Sequence, residues 1–361
     1  IAGLFDDPQN KRAAEISAEV AGYGHGYQAA IAAEFCKPIE SQPLPDEYTI
    51  FDRNIQGPRG RYGRWSFAGN GRNYGVGYQG KDTFAGCMLT DPERRPLPLD
   101  AALQVVTTEV RLDHEQNHWR GGRCHSAQEK LSTTLGPDFG SLAVRYTVSK
   151  PNWQHEADVL FPWQGTQQWY LSKDRLVGLV ALEATEDEKR AAVHGRIRLG
   201  MKREIQRDGP ATWRYGKLRV KIHEHNYAKI LSKPSETFYR DEPDRYRSTE
   251  ITLIDPKSLA AGEQGEVEYP KGTRYYFLVE VFAEGTKPAE EIALLEGTEA
   301  VGFEFREPNR RVVLLHNPNE TAISIDQAVG PAEGRAAPIY HDNSGEGNSV
   351  EAGRLTRQLP P

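Results

Sequence analysis

Apolar and polar residues alternate with a period of two through much of this chain. The pattern is plain in LAVRYTVS (142–149), RLVGLVALEA (175–184), HGRIRLGM (194–201), GKLRVKIHE (216–224), YRSTEITLI (246–254) and RYYFLVEVF (274–282). A half-buried strand needs this alternation, because successive side chains leave opposite faces of the backbone. Turn residues separate the runs at short intervals. The run from Arg175 to Ala184 carries Leu176, Leu179, Val180 and Leu182 and predicts a well-buried strand. Many strands, few helices and long loops predict a mainly β fold built on a large antiparallel β-sandwich.

The two ends depart from that pattern. Leu4, Phe5, Ala13, Ile16 and Val20 recur at helical spacing, and Asp7 before Pro8 suits a helix start. GYGHGY (22–27) breaks this helix, and a second follows over 28–35. The Pro-rich KPIESQPLPDE reads as a linker. The expected organisation is a short helical segment over 1–36, a linker over 37–50, the large sandwich over 51–287 and a small C-terminal β domain over 288–361. A hinge is expected at Thr286 to Glu299. The chain opens on Ile1 and in mid-pattern, as a processed or excised chain with helices before it would.

Charge and composition narrow the function classes. The chain has 361 residues and a formal net charge of -6, which argues against general nucleic-acid binding. No apolar run approaches the ~20 residues of a membrane span, and no signal-peptide core is present. Cys36, Cys87 and Cys124 form an odd, widely spaced trio, unlike a disulfide framework or a zinc ribbon. Nothing in the sequence signals an oligomeric state.

Against this acidic background RGRYGRWSFAGNGRNYGVGYQG (59–80) is basic. Arg59, Arg61, Arg64 and Arg72 interleave with Tyr62, Trp65, Phe67, Tyr74 and Tyr78, and no acid lies between Asp52 and Asp82. Guanidinium forks match carboxylate or sulfate, and aromatic rings stack on sugar faces. The segment therefore suits an acidic polysaccharide, with Arg64, Trp65, Asn70, Arg72, Asn73 and Tyr78 as binding residues. The alternative is a Gly-rich β meander whose aromatics pack and whose arginines are solvated.

A second segment, DHEQNHWRGGRCH (113–125), concentrates histidine. His114, Glu115 and His118 match H-E-x-x-H, in which two histidines one helical turn apart hold zinc and the Glu activates water. A third ligand in the extended pattern would fall on Cys124, with His125 one step late. The polar Asp113, Gln116, Asn117 and Arg120 and the strand-like VVTTEVRL before them favour a loop at a strand end. His118 and His125, with Trp119 and Arg120, can equally serve a sugar site, since imidazole moves protons near neutrality. His25, between Tyr23 and Tyr27, is a further candidate, or else part of an interhelical turn. The Trp-rich stretch around Trp153, Trp163 and Trp169 favours packing over a sugar platform. His223 and His225 beside Glu224 favour a solvated edge over a metal pair. No nucleophile elbow, P-loop or dinucleotide fingerprint is found.

Terminal helices, a Pro-rich linker, a long antiparallel β region and a small β tail, with phrases such as WYLSKDRLVGLVALEA and YPKGTRYYFLVEVF, resemble the latter part of polysaccharide lyases. These are the lyases with an (α/α) toroid followed by antiparallel sheets: heparinase, chondroitin AC lyase and alginate lyase relatives. The resemblance implies a secreted or periplasmic carbon–oxygen lyase that cleaves a uronate-containing polysaccharide or oligosaccharide by β-elimination, with no cofactor required and no nucleic-acid or membrane partner. It implies a His or Tyr base, a Tyr acid and an Asn, Arg or His that neutralises the uronic carboxylate. His125, His118, Tyr74, His25 and Tyr23 are the residues of matching chemistry here. Two other readings are carried: a non-catalytic carbohydrate-binding portion of such an enzyme, and a zinc-dependent hydrolase using His114, Glu115 and His118. The same His114 and His118 could hold a structural divalent metal.

Overall fold

All six alternating runs are strands in the structure, a computed structural model. It describes residues 45–53, 55–71, 84–89, 101–111, 122–136, 138–150, 159–190, 192–201, 205–234, 248–261, 266–295, 301–308, 310–317, 323–328, 335–336, 348–349 and 354–359. The chain divides into two units, Ile1–Pro45 and Asp46–Pro361. The expected helical segment over 1–36 lies outside the described residues. The described part of the second unit is mainly β and antiparallel.

Nine strands open this unit: β1 (Glu47–Asp52), β2 (Gly57–Tyr62), β3 (Trp65–Asn70), β4 (Phe84–Leu89), β5 (Ala101–Arg111), β6 (Gly122–Leu135), β7 (Phe139–Lys150), β8 (Val159–Ser172) and β9 (Arg175–Ala184). Then come β10 (Glu188–Arg190), β11 (Ala192–Met201), β12 (Gln206–Gly209), β13 (Thr212–Tyr215), β14 (Leu218–His225), β15 (Lys229–Pro234) and β16 (Ser248–Ile254). The short helix α1 (Pro256–Ala261) precedes β17 (Val267–Tyr269) and β18 (Arg274–Ala283). The C-terminal strands are β19 (Glu290–Leu294), β20 (Val301–Glu307), β21 (Arg310–His316), β22 (Ile323–Ala328), β23 (Arg335–Ala336), β24 (Asn348–Ser349) and β25 (Arg354–Leu359).

One 16-stranded sheet runs β1 to β9 in sequence order, then β18, β14, β13 and β12, with β11, β16 and β15 branching from β5. It folds over on itself into two layers. The β5 and β11 side meets the β7, β8 and β18 side: Gln167 Nε2 on β8 donates to the Val106 carbonyl on β5 at 3.4 Å. A Cβ on Gly195 of β11 would come within 2.8 Å of the Phe277 ring on β18. The shared core includes Val106, Val110, Ile197, Leu253, Tyr146, Trp163, Trp169, Val180 and Phe277. Trp163 and Trp169 are wholly buried, as the packing reading of the Trp-rich stretch expects. Three core rings lie across glycines directly opposite in register: Phe67 on Gly60, Tyr146 on Gly165 and Trp169 on Gly178. The missing Cβ lets a bulky ring lie flat against the neighbouring strand.

A second, smaller core lies on the other face of β8, β9 and β18. Tyr170, Val177, Leu179 and Leu278 pack there against Ala289, just before β19, and against Phe303 and Phe305 of β20. The Tyr170 and Phe305 rings meet edge to face at 5.2 Å. The segment from Thr286, expected as a hinge, is pinned: Arg175 donates to the Lys287 carbonyl at 3.0 Å, and Ala289 N donates to Glu280 at 2.9 Å. The remaining strands pair as β10–β17, β22–β25 and β23–β24. Among the described residues no helix is long and apolar enough to cross a membrane.

Asp255 ties α1 to both layers. It caps the helix, taking the Lys257 and Ser258 amides at 3.0 and 2.9 Å, with Pro256 in the first helical position. It also takes Val193 N at 3.0 Å, Tyr269 OH at 3.2 Å and Tyr275 OH at 3.4 Å. Burial, followed by the Asp255 charge, pushes both tyrosines above their ordinary range. The folded protein thus holds two protons that the unfolded chain releases near pH 10. Stability is fully present below that pH and falls as pH rises above it, by about 1.4 kcal/mol per unit for each tyrosine. Urea unfolding between pH 8 and 11 is expected to show this loss, and Tyr275→Phe to halve its slope; equal slopes in both proteins would refute it.

Candidate functional site

The Arg-aromatic segment enters the fold as β2 and β3. Alternation splits its residues between two faces. Tyr62, Trp65 and Phe67 point into the main core, and Arg59 and Arg61 lie on the opposite face, toward solvent. Trp65 is 2% exposed. Protein occupies its ring faces, which corrects its assignment as a sugar-stacking residue. Its indole N–H has no hydrogen-bond partner among the described residues. Arg59 pairs with Asp52 at 3.5 Å on the surface. Gly63 takes a positive φ of 58° at the tight turn, setting Arg64 at its tip. Asn70 closes β3 and is 3% exposed. Arg72, Asn73, Tyr74 and Tyr78 lie outside the described residues, as do His25, Tyr23, His114, Glu115, His118, Trp119 and Arg120. His125 is on β6, and its side chain is outside those described.

The strand register sets where these segments leave the fold. One edge of β5 is taken along its length by β11, from Leu103↔Leu199 to Arg111↔Ala192. The other edge is shared by two strands. β4 pairs with its start (Leu89↔Ala101 to Cys87↔Leu103), and β6 pairs near its end (Glu109↔Arg123, Val110↔Gly122). Carrying the β4 register on to Phe84 brings that residue level with Val106, ~10 Å from the Glu109–Arg123 pair at ~3.3 Å per residue. Phe84 pairs with Asn70. The candidate residues Arg72, Asn73, Tyr74 and Tyr78 fall in the sequence between β3 and β4. β4 and β6 thus share one edge of β5, β4 along its first part and β6 near its end.

The outward face of the adjoining strands is rich in cations. On β11 Val193, Gly195, Ile197 and Leu199 point inward, so His194, Arg196 and Arg198 share the outer face. β16 presents Glu250 opposite Arg198 and Thr252 opposite Arg196. Arg196 Nη2 donates to Glu250 at 2.9 Å, while Arg198 donates through Nε and Nη2 at 3.2 and 3.0 Å. Glu250 is 2% exposed, Arg196 18% and Arg198 24%. Two guanidinium groups thus converge on one buried carboxylate. Their signal in the sequence is the R-I-R alternation of HGRIRLGM, which puts two cations on one strand face.

His223 and His225 correct another expectation. A β-bulge between Ile222 and Glu224 puts an extra residue into β14, and His223 and Glu224 both meet the small sheet's side. His223 is nearly buried, with Nε2 2.9 Å from Glu280 Oε2. Glu280 also receives Arg175 Nη1 at 3.0 Å, and Arg175 lies 3.4 Å from Glu307. Glu224 accepts from Tyr276 OH at 2.7 Å. This is an internal ionic network rather than a solvated edge. Among the described residues no three His, Cys, Asp or Glu side chains converge as metal ligands. Cys87 is buried, and burial pushes its thiol far up, leaving it a packing residue.

No family model matches this chain, and no curated protein matches it. Among solved structures, one described as a heparinase III gene product with methylated lysines is similar over 77% of this chain, at 9% identity and a TM-score of 0.44. The match spans 43% of that protein's length.

Proposed function

We propose that this protein is a polysaccharide lyase, or part of one, that cleaves an acidic, uronate-containing polysaccharide by β-elimination. The observation that carries the reading is the sharing of one β5 edge by β4 and β6. It supports the reading because the Arg72–Tyr78 segment leads into β4 and the His114–His125 segment leads into β6. Between them these segments hold the three kinds of group the reaction needs: imidazole, phenol, and Arg or Asn.

In the reaction a base removes the proton from the carbon next to the uronic carboxylate. The electron pair forms a carbon–carbon double bond to the neighbouring ring carbon. The glycosidic C–O bond on that carbon breaks, and the leaving oxygen takes a proton from an acid. His125 or His118 is the base and Tyr74 the acid. Arg72 or Asn73 neutralises the carboxylate, because charge that builds on it during proton removal must be stabilised; Asn70, which is buried, is set aside for this role. Electrons and protons balance without a cofactor.

Incubating the protein with polyuronates is expected to produce the ultraviolet absorbance of an unsaturated uronate. His125→Ala is expected to reduce the rate at least about a hundredfold, the usual contribution of a positioned base. No unsaturated product from any of several carboxylated and sulfated glycans would refute the proposal.

A further inference from the structure

We infer that the outward face of β1, β2 and β3 is a binding subsite for a uronate unit of the polysaccharide, in which Arg61 takes the carboxylate and Tyr48 supports the sugar ring. For its substrate class this rests on the lyase reading; it uses none of the residues to which that reading gives a part in the reaction.

Strand register builds the face. Tyr48 stands opposite Arg61, and Arg61 opposite Ser66. Ile50 stands opposite Arg59, and Arg59 opposite Ala68. Tyr62, Trp65 and Phe67 turn to the core, so these six residues share the other face. None of the six is buried. Ile50 is 48% exposed and the Arg59 side chain 53%. Each row crosses two strand-to-strand steps, ~10 Å, and the rows lie ~7 Å apart.

Arg61 is the centre of this face. It lies between Tyr48 and Ser66 and makes no hydrogen bond or ion pair among the described residues. An unengaged guanidinium offers its planar fork of donors to a carboxylate. Arg59 beside it pairs with Asp52 at 3.5 Å, an exposed contact of the kind that adds little stability. The Tyr48 hydroxyl also has no partner among the described residues. Tyrosine joins an apolar ring to a polar tip, which matches the C–H face and the hydroxyls of a sugar. Ser66 and Ala68 are short, so a sugar ring can lie across them beside the arginines. The aromatic partner of these arginines is therefore Tyr48, from β1, and not Trp65, which alternation sends to the core.

A polyuronate fits this face better than a single-stranded nucleic acid. The latter is gripped by successive rings along a basic groove, and this face has one ring. Asp52 shares the face, and Asp46 and Glu47 stand at the start of β1. These carboxylates oppose a closely charged phosphate backbone.

The test is equilibrium binding of polygalacturonate and alginate, with neutral dextran, dextran sulfate and a single-stranded DNA oligonucleotide as the other arms. The wild-type protein is expected to bind at least one polyuronate more tightly than any of these three. Arg61→Gln is expected to weaken that binding about tenfold, the worth of a charged hydrogen bond. Its melting temperature is expected to stay unchanged, since Arg61 has no protein partner to lose. Tyr48→Leu, the second variant should Arg61→Gln not fold, is expected to weaken binding about threefold, the scale of one aromatic contact. Phe51→Ala, on the other face of β1, is expected to leave binding unchanged. Wild-type affinity in both Arg61→Gln and Tyr48→Leu would overturn the inference. So would an equal loss in Phe51→Ala, no binding to either polyuronate, or tighter binding to dextran sulfate or the oligonucleotide. The lyase reading fails separately. Polyuronate binding without unsaturated product refutes that reading alone; turnover with unchanged KM in Arg61→Gln refutes the subsite alone.

Discussion

Replacing Glu280 with alanine is expected to destabilise the protein by about 3–5 kcal/mol, as removing one partner of a buried ion pair does. Glu280 is wholly buried and Arg175 is 3% exposed. Losing the carboxylate leaves the Arg175 Nη1 group, the His223 ring and the Ala289 amide without their acceptor. Glu307 at 3.4 Å still faces Arg175 but cannot reach all three. The same carboxylate joins the main sheet to the segment leading into β19, so its loss also loosens the small sheet from its apolar bed. Urea unfolding monitored by tryptophan fluorescence reads the effect. A double variant with Leu at both 175 and 280 is expected to recover part of the loss, because no buried charge is then left unpaired. A cost below about 1 kcal/mol in Glu280→Ala, the range of an exposed pair, would show that the network is solvated and structurally idle.

Asp255→Asn is expected to cost about as much as Asp255→Ala, about 3 kcal/mol or more in each case. An amide is nearly the shape of a carboxylate but carries one acceptor oxygen and one donor nitrogen. Asp255 Oδ1 receives two backbone amides and two tyrosine hydroxyls. Oδ2 receives Val193 N and the Ser258 hydroxyl. Whichever way the amide turns, its N–H₂ group confronts donors, and buried donors without acceptors carry a full desolvation penalty. Thermal unfolding of the two variants tests this. An Asn variant within about 1 kcal/mol of wild type would mean that the carboxylate acts only as a helix cap.

Both effects arise from residues that alternation alone does not distinguish. The period-two pattern places Glu280 in RYYFLVEVF as a polar position on a half-buried strand, the kind that normally faces water. It is buried because β19–β21 cover that face, and the covering sheet comes from sequence further on. Trp65 shows the reverse. Its basic, Gly-rich surroundings resemble a binding loop, yet β3 pairs with β2 and β4 and turns the ring into the core. His223 in an alternating strand reads as exposed until a bulge and the small sheet enclose it. Arg196 and Arg198 were legible as two cations on one strand face; their meeting with Glu250 depends on β16 pairing beside β11.

By itself the sequence determined that the chain is mainly β and antiparallel, where its best strands run, and that its charge is unevenly spread. Each of these follows from local periodicity and composition, which strand geometry reads directly. Only the tertiary structure decided which polar positions became buried, and which distant segments met along β5. Those outcomes depend on the strand or sheet that packs opposite, and no local pattern encodes a neighbour tens of residues away.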